Sequence, residues 1–114
     1  VPAVKYDKLS DGISENQSAS MRKRIESARL IQKQRFLGLP ILANSEMQIP
    51  EIKKYCQYDQ KSEELLKKYA DSGKLSARGY HRVLKVARTI ADLAGAQNIH
   101  YDHIAESLMY RLKS

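Results

Sequence analysis

The sequence has few of the residues that carry covalent or redox chemistry. It contains one cysteine, Cys56, and no tryptophan. A single cysteine excludes an internal disulfide and a cysteine-based zinc site, and it is typical of a reducing compartment. No run of about 18 apolar residues and no signal peptide is visible. We therefore expect a soluble, cytoplasmic protein that does not enter a membrane.

The motifs with which an ATPase holds its nucleotide and magnesium are also missing from this sequence. The only Gly-Lys pair is Gly73-Lys74, and Lys68 stands where the first glycine of a P-loop would be. No apolar run ends in Asp-Glu, the pattern of a Walker B magnesium site. Because a P-loop needs its glycine-rich turn, we expect this chain alone to have no catalytic residues and no ATP hydrolysis.

The histidines do not form a convincing metal motif. His100 and His103 are three residues apart, and His81 lies on a different predicted helix. Zinc would require a fourth ligand and converging side chains, so no metal site is expected. We predict instead that His100 caps a helix and that Cys56 is a small buried hydrophobic residue.

What remains is a short, basic and potentially helical chain. Its 114 residues suit one domain, and 42% hydrophobic residues suit a globular one. The 20 Lys and Arg exceed the 13 Asp and Glu, which gives a net charge of +7. This excess favours an anionic partner without locating a site. Only five glycines and three prolines interrupt the chain, which leaves long stretches free to form helices.

Two regions differ in pattern. Residues 1–17 contain an apolar segment, Val1–Val4, which is similar to the end of a strand, followed by turn-type residues such as Ser10-Asp11-Gly12. We interpret 1–17 as an extended arm or linker and 18–114 as a helical domain.

Capping and stop residues divide the helical region. The first helix begins at Ser18 and ends before Gly38-Leu39-Pro40. Its inner face is formed by Met21, Ile25, Ala28, Gln32 and Phe36. The other predicted helices are 50–55, 59–70 with Asp59 as its N-cap and Gly73 as its stop, 77–94 with Ser76 as its N-cap and Gly95 as its stop, and 101–112. The sequence therefore predicts an all-α bundle of four or five helices.

The start of the fourth predicted helix is the strongest candidate site. A helix N-terminus favours anions and disfavours an arginine unless an anion is near, yet Arg78 stands there. Arg82 and Lys85 follow on the same face, with Arg88 at its edge. We interpret this stripe as a phosphate site. The alternative is an ordinary basic face in contact with solvent. Arg88 could instead support the fold.

The first predicted helix is basic as well. Its exposed cations are expected to contact nucleic acid or an acidic neighbouring subunit, or simply to face solvent. The residues concerned are Arg22, Arg24, Arg29 and Lys33.

Several segments together resemble one protein family. The run of residues 75–93, LSARGYHRVLKVARTIADL, and the later HIAESL and Tyr110-Arg111 resemble the C-terminal region of magnesium chelatase-like AAA+ ATPases, which include competence-type DNA recombination proteins. Upstream, the segments that match are Ala28-Arg29, Gln32, Arg35-Phe36, Asn44, Met47 and Tyr55-Cys56. The resemblance covers nearly everything after residue 17.

The resemblance implies a specific role for this chain. It would be the helical lid that follows an AAA+ core, and residues 1–9 would be the last strand and exit of that core. Arg78 falls on the position of the sensor-2 arginine, which contacts the γ-phosphate of ATP in its own or a neighbouring subunit. The parent protein would use ATP and Mg²⁺, form a hexamer with its neighbouring subunits, and remodel DNA or a chelatase complex. A stand-alone basic module for DNA binding or subunit assembly is the alternative function.

Overall fold

A computed structural model describes the backbone of residues 2–113 and the side chains of residues 17–111. Within these residues the chain forms five α-helices, one short 3-10 turn and no strand. The elements in order are α1 Pro2–Arg35, the 3-10 turn Asn44–Glu46, α2 Ile49–Tyr55, α3 Gln60–Asp71, α4 Ala77–Leu93 and α5 Tyr101–Lys113. A single parallel bridge joins Tyr58 to Ile99. The predicted all-α bundle is confirmed.

The first helix is longer than the sequence indicated. It begins at Pro2, so the prediction of an extended arm over residues 1–17, with a strand end at residues 1–9, was wrong for every residue whose backbone is described. The turn-type segment Ser10-Asp11-Gly12 lies inside the helix. Propensity is a weak local prior, and proline is absent between Pro2 and Pro40 to break the helix. The placement of a domain boundary near residue 17 stays a prediction.

The other helix starts follow their capping residues. The Asp59 side chain accepts a hydrogen bond from the Ser62 N–H at 3.0 Å, and Ser76 Oγ accepts one from the Gly79 N–H at 3.1 Å. Both residues satisfy a backbone donor that the first turn leaves unpaired. Gly73 and Gly95 follow α3 and α4 with φ angles of 78° and 72°, a conformation that glycine adopts without strain. Both caps and both stops are confirmed.

Helix α4 is the centre of the core. Its buried residues include Val83, Leu84, Ala87 and Ala91, and it packs against α1, α2 and α5. The remaining buried apolar side chains come from every other segment of the bundle: Ala28, Phe36, Met47, Ile52, Cys56, Leu66, Leu75, Ile99, Ile104 and Leu108. Ala70 and Ala94, at the ends of α3 and α4, are exposed.

The predicted inner face of α1 is only half correct. Ala28 and Phe36 are buried, whereas Met21 is 60% and Ile25 37% exposed. The apolar stripe of α1 therefore extends toward the N-terminus past the part of the helix that the rest of the bundle covers.

One carboxylate, Asp92 on α4, is fully buried in this core and is surrounded by donors. Arg35, the last residue of α1, donates from Nη1 to Oδ2 at 2.8 Å and from Nη2 to Oδ1 at 2.7 Å. Asn44 Nδ2 donates at 2.8 Å and Arg88 Nε at 3.1 Å. Two guanidinium groups thus compensate one buried carboxylate, and a bidentate contact fixes the geometry of Arg35.

The partners of Asp92 extend the network to other segments. Arg88 also donates to the carbonyl oxygens of Tyr55, Ala96 and Gln97, while the Asn44 backbone N–H donates to Gln32 Oε1. The network therefore joins the ends of α1 and α2, the 3-10 turn, α4 and the turn before α5. No buried side-chain polar atom among the described residues lacks a partner.

Replacing Asp92 by asparagine is expected to destabilise the domain strongly. Asn keeps the shape of the side chain but leaves two buried arginines without a counter-charge, which costs about 3 kcal/mol of unfolding free energy. Urea unfolding followed by circular dichroism measures it. Glu64→Gln, the same change at an exposed site on α3, is the matched control. A loss below about 1 kcal/mol for Asp92→Asn would show that the network is not a main support of the fold.

The start of α5 depends on a hydrogen bond to a histidine side chain. The His100 N–H donates to Nδ1 of His103 at 2.9 Å, so the neutral imidazole acts as an acceptor there. The pKa of His103 is lowered, first by burial and then by the charges of His100 and Arg88, against the opposing effects of Asp102 and Glu106. The unfolded chain therefore binds a proton more readily than the folded one, and stability falls as pH drops below about 6.5.

His103→Gln should remove this part of the pH dependence, because glutamine at this position of the helix accepts the same hydrogen bond without titrating. The measurement is the urea midpoint at about pH 7.5 and about pH 5.5. His81→Gln on α4 leaves the cap of α5 intact and should keep the loss. An unchanged pH dependence in His103→Gln would contradict the assignment.

Candidate functional site

The candidate site lies at the first turn of α4. Ser76 caps this turn, and Arg78 is the second residue of the helix, with an exposed side chain. The first N–H groups of a helix and its dipole place partial positive charge at this end. The sequence thus adds a full cation where the backbone is already positive, an arrangement that an anion stabilises.

Arg78 borders an open pocket of about 440 Å³. Its cationic side is helix α4, and its other wall comes from the segment after the 3-10 turn and from α2. The lining residues are Met47, Gln48, Ile49, Ile52, Arg78, His81, Arg82 and Lys85. None of these is acidic, so the pocket offers positive charge without an internal counter-ion.

The cations of this pocket differ in how far they are already engaged. Among the described residues, Arg78 and Arg82 have no hydrogen-bond or ion-pair partner. Lys85 Nζ donates to the Ser45 carbonyl oxygen at 3.3 Å, which leaves its charge uncompensated. The guanidinium donors of Arg78 and Arg82 are therefore available to an incoming anion.

Arg88 has a different position from the other three basic residues. It is 4% exposed and its donors are occupied by Asp92 and by backbone carbonyls. Burial lowers the pKa of Arg88, and the charge of Asp92 opposes that effect. The structure thus places Arg88 in the support of the fold, away from the pocket.

Sequence reasoning missed two parts of the site. His81 was considered only as a metal ligand, although its spacing from Arg78 and Lys85, i+3 and i−4, places all three on one helical face. The wall formed by Met47, Gln48 and Ile49 could not be found from the sequence, because it depends on the long-range packing of the loop.

Gly79 explains how α5 approaches this end of α4. A Cβ atom built on Gly79 would lie 2.6 Å from Nη2 and 2.8 Å from Cζ of Arg111. Only glycine therefore lets the Arg111 guanidinium lie directly against the first turn of α4.

The basic residues of α1 form a separate surface. Arg22, Arg24, Arg29 and Lys33 are all exposed. The i, i+7, i+11 spacing puts Arg22, Arg29 and Lys33 along one edge, whereas Arg24 lies on another side of the helix. Arg29 and Lys33 line a groove of about 740 Å³ between α1, the following loop and α4. They are not part of the pocket at Arg78.

Other candidate chemistry is limited in the described part of the chain. No three His, Cys, Asp or Glu side chains there are grouped as they would be around a metal ion. Cys56 is buried, as predicted, and burial raises the pKa of its thiol to about 11. None of the described helices combines the length and apolar character needed to span a membrane.

Comparison with known proteins places this arrangement in a family. The family described as the C-terminal region of magnesium chelatase subunit ChlI matches residues 15–111. Competence protein ComM of Haemophilus influenzae is 42% identical over 94 residues, 82% of this chain and 18% of that protein. The uncharacterized protein YifB of Salmonella typhimurium is 36% identical over 110 residues, 96% of this chain and 20% of that protein.

The extent of these matches limits what they describe. The chain spans about a fifth of the length of these relatives. No solved structure shows significant similarity to it. Since the family match covers nearly the whole helical region, including α4 with Arg78 and the Asp92 network, the chain belongs to the magnesium chelatase subunit ChlI C-terminal family.

Proposed function

We propose that this chain is the lid domain of a magnesium chelatase-like AAA+ ATPase and that Arg78 is its sensor-2 arginine. The observation that carries the proposal is the state of Arg78: an exposed guanidinium without a described partner, at a helix N-terminus, beside a cationic pocket with no acidic residue. Family membership supports the domain assignment.

The pocket suits a terminal phosphate group. A guanidinium can donate two parallel hydrogen bonds to phosphate oxygens, which gives both charge and orientation. Arg82 and Lys85 lie one and two turns further along the same face and add positive potential. Loss of the γ-phosphate by hydrolysis removes the anion that Arg78 contacts, so this domain is released from the nucleotide.

Of the two proposed ligands, ATP and Mg²⁺, only ATP has suitable residues in the described part of this chain. The described residues suit the phosphate end of ATP, whereas none of them form a set of carboxylates that would hold Mg²⁺. In the proposed function Mg²⁺ and the attacking water are positioned by the AAA+ core, and this chain binds and orients the γ-phosphate. Arg78 acts on nucleotide in its own subunit or in the neighbouring subunit of a hexameric ring.

Coupling to a substrate belongs to the whole ATPase. One relative is named a competence protein, and the family takes its name from magnesium chelatase. DNA or a chelatase complex is therefore the proposed target of remodelling. The alternative, a stand-alone DNA-binding or assembly module, depends on the α1 cations rather than on Arg78.

Arg78→Ala in the full-length ATPase tests the proposal. We expect kcat for ATP hydrolysis to fall about 100-fold, because one preorganised charged donor to the reacting phosphate is lost. Arg78→Lys should restore only part of the rate, since it cannot make the bidentate contact. The fold should be unaffected, as the side chain is exposed.

Arg24→Ala is the matched control, an exposed arginine outside the pocket. Nucleotide-dependent lid closure, followed by a distance label between core and lid, provides a second measurement. Hydrolysis and closure at the wild-type level in Arg78→Ala would refute the sensor-2 role and leave the α1 surface as the basis of function.

A further inference from the structure

The described residues leave an apolar groove uncovered beside α1. Ala28, Phe36 and Leu93 contribute to its lining, together with the side chains of the loop after α1. The two leucines that project most from this loop are Leu37, 79% exposed, and Leu42, 83% exposed. Ile25 continues the apolar surface along α1. A soluble domain that exposes several large apolar residues in one place has an interaction surface there.

Hydrogen bonds hold these leucines in place. The Leu42 N–H donates to Glu46 Oε1 at 3.2 Å, and the Leu37 N–H donates to the Gln34 carbonyl oxygen at 3.3 Å. At the end of the loop, Asn44 is fixed by Gln32 and by Asp92. The backbone that carries Leu37 and Leu42 is therefore held by hydrogen bonds within the loop and to its ends.

The charged residues that line the groove are cations. Arg29 and Lys33 line it, and Arg22 lies on the same edge of α1 one turn beyond Ile25 toward the N-terminus. None of the described residues that line the groove is acidic. Arg22 and Glu26 are spaced i, i+4 but form no ion pair, and no described carboxylate pairs with Arg29 or Lys33.

We propose that this groove binds an acidic amphipathic helix of a partner protein. The apolar floor matches an apolar helix stripe, and the row of cations along one edge matches acidic residues beside that stripe. From Ile25 to Phe36 the wall runs about 16 Å, enough for three turns of a bound helix.

The apolar lining separates this partner from two others. DNA would use the cations but would leave Leu37 and Leu42 against a charged backbone, where they gain nothing. A second copy of the chain would bring two cationic edges together, against a net charge of +7 on each molecule. An acidic amphipathic helix uses both features at once.

This inference does not depend on the proposed nucleotide contact. Thr89 and Leu93 line the groove, whereas Arg78 is at the other end of α4, about 16 Å before Thr89 along the helix axis. A failure of one proposal therefore leaves the other standing, and Arg78→Ala should not change binding to the groove.

The test uses the purified chain and two synthetic helical peptides of about 16 residues with the same leucine stripe. One carries glutamate beside the stripe and the other lysine, and fluorescence anisotropy of the labelled peptides gives Kd. We expect the acidic peptide to bind at least about tenfold more tightly, and to weaken as salt is raised from about 50 to about 300 mM.

Variants of exposed residues locate the binding without affecting the fold. Leu37→Ser combined with Leu42→Ser should weaken the acidic peptide about tenfold or more, whereas Met109→Ser, 58% exposed on α5, should leave it unchanged. Arg29→Glu combined with Lys33→Glu should reverse the preference toward the lysine peptide.

Several results would overturn the proposal. They are the absence of binding, equal binding of the two peptides, and insensitivity to the leucine substitutions. Duplex DNA that binds more tightly than the acidic peptide at about 150 mM salt, with no effect of the leucine substitutions, would assign the surface to nucleic acid. Sedimentation showing a dimer that these leucine substitutions disrupt would assign it to a second copy.

Discussion

The buried charge of Asp92 is the constraint on which the rest of this small domain depends. A carboxylate out of contact with water is stable only if its charge and its lone pairs are compensated, and Arg35, Arg88 and Asn44 provide that compensation. Each donor comes from a different place along the chain. The hydrogen bonds to Asp92 of α4 therefore fix the positions of the end of α1 and of the 3-10 turn relative to α4. The loop between α1 and α2, which carries Leu37 and Leu42 as well as Met47, is positioned by the same contacts.

The network also separates the arginines into two groups, those that pair with Asp92 and those that do not. The amino-acid composition alone cannot make this distinction. Arg35 and Arg88 both form ion pairs with Asp92. Arg88 also donates hydrogen bonds to carbonyl oxygens at the end of α2 and before α5. Arg78 and Arg82, on the same helix as Arg88, keep their donors available. The net charge of +7 therefore overstates the number of cations in any one site. Part of it lies in a pocket at the start of α4 and part along an edge of α1, and the two surfaces suit different ligands.

Capping residues predicted the helix starts that depend on contacts between residues close in sequence. Asp59 and Ser76 each supply a side-chain acceptor within three residues, so the starts of α3 and α4 could be read from the sequence. The Asp92 contacts could not, because they join residues 48 and 57 positions apart. The N-terminal prediction failed for a related reason: Ser10-Asp11-Gly12 favours a turn only weakly, and it lies within a continuous helix. Arg78 could be proposed from the sequence because an arginine at a helix start is a local conflict, whereas His81 and the loop wall of its pocket required the packed structure.

The same buried network limits how this domain can move. Separating Arg35 from Asp92 would break two charge-assisted hydrogen bonds to a buried carboxylate and leave Arg88 as its remaining cationic partner. That loss costs several kcal/mol, which exceeds what an exposed loop contact can supply. Rearrangement inside the bundle is thus far less favourable than displacement of the whole bundle. Under the proposed function, a change at Arg78 would move the domain as one body, because α4 reaches from the phosphate pocket to the groove and the α1–α2 loop borders both. A helix held in the groove would then be carried with the lid each time the γ-phosphate is bound or lost, without any change in the groove itself.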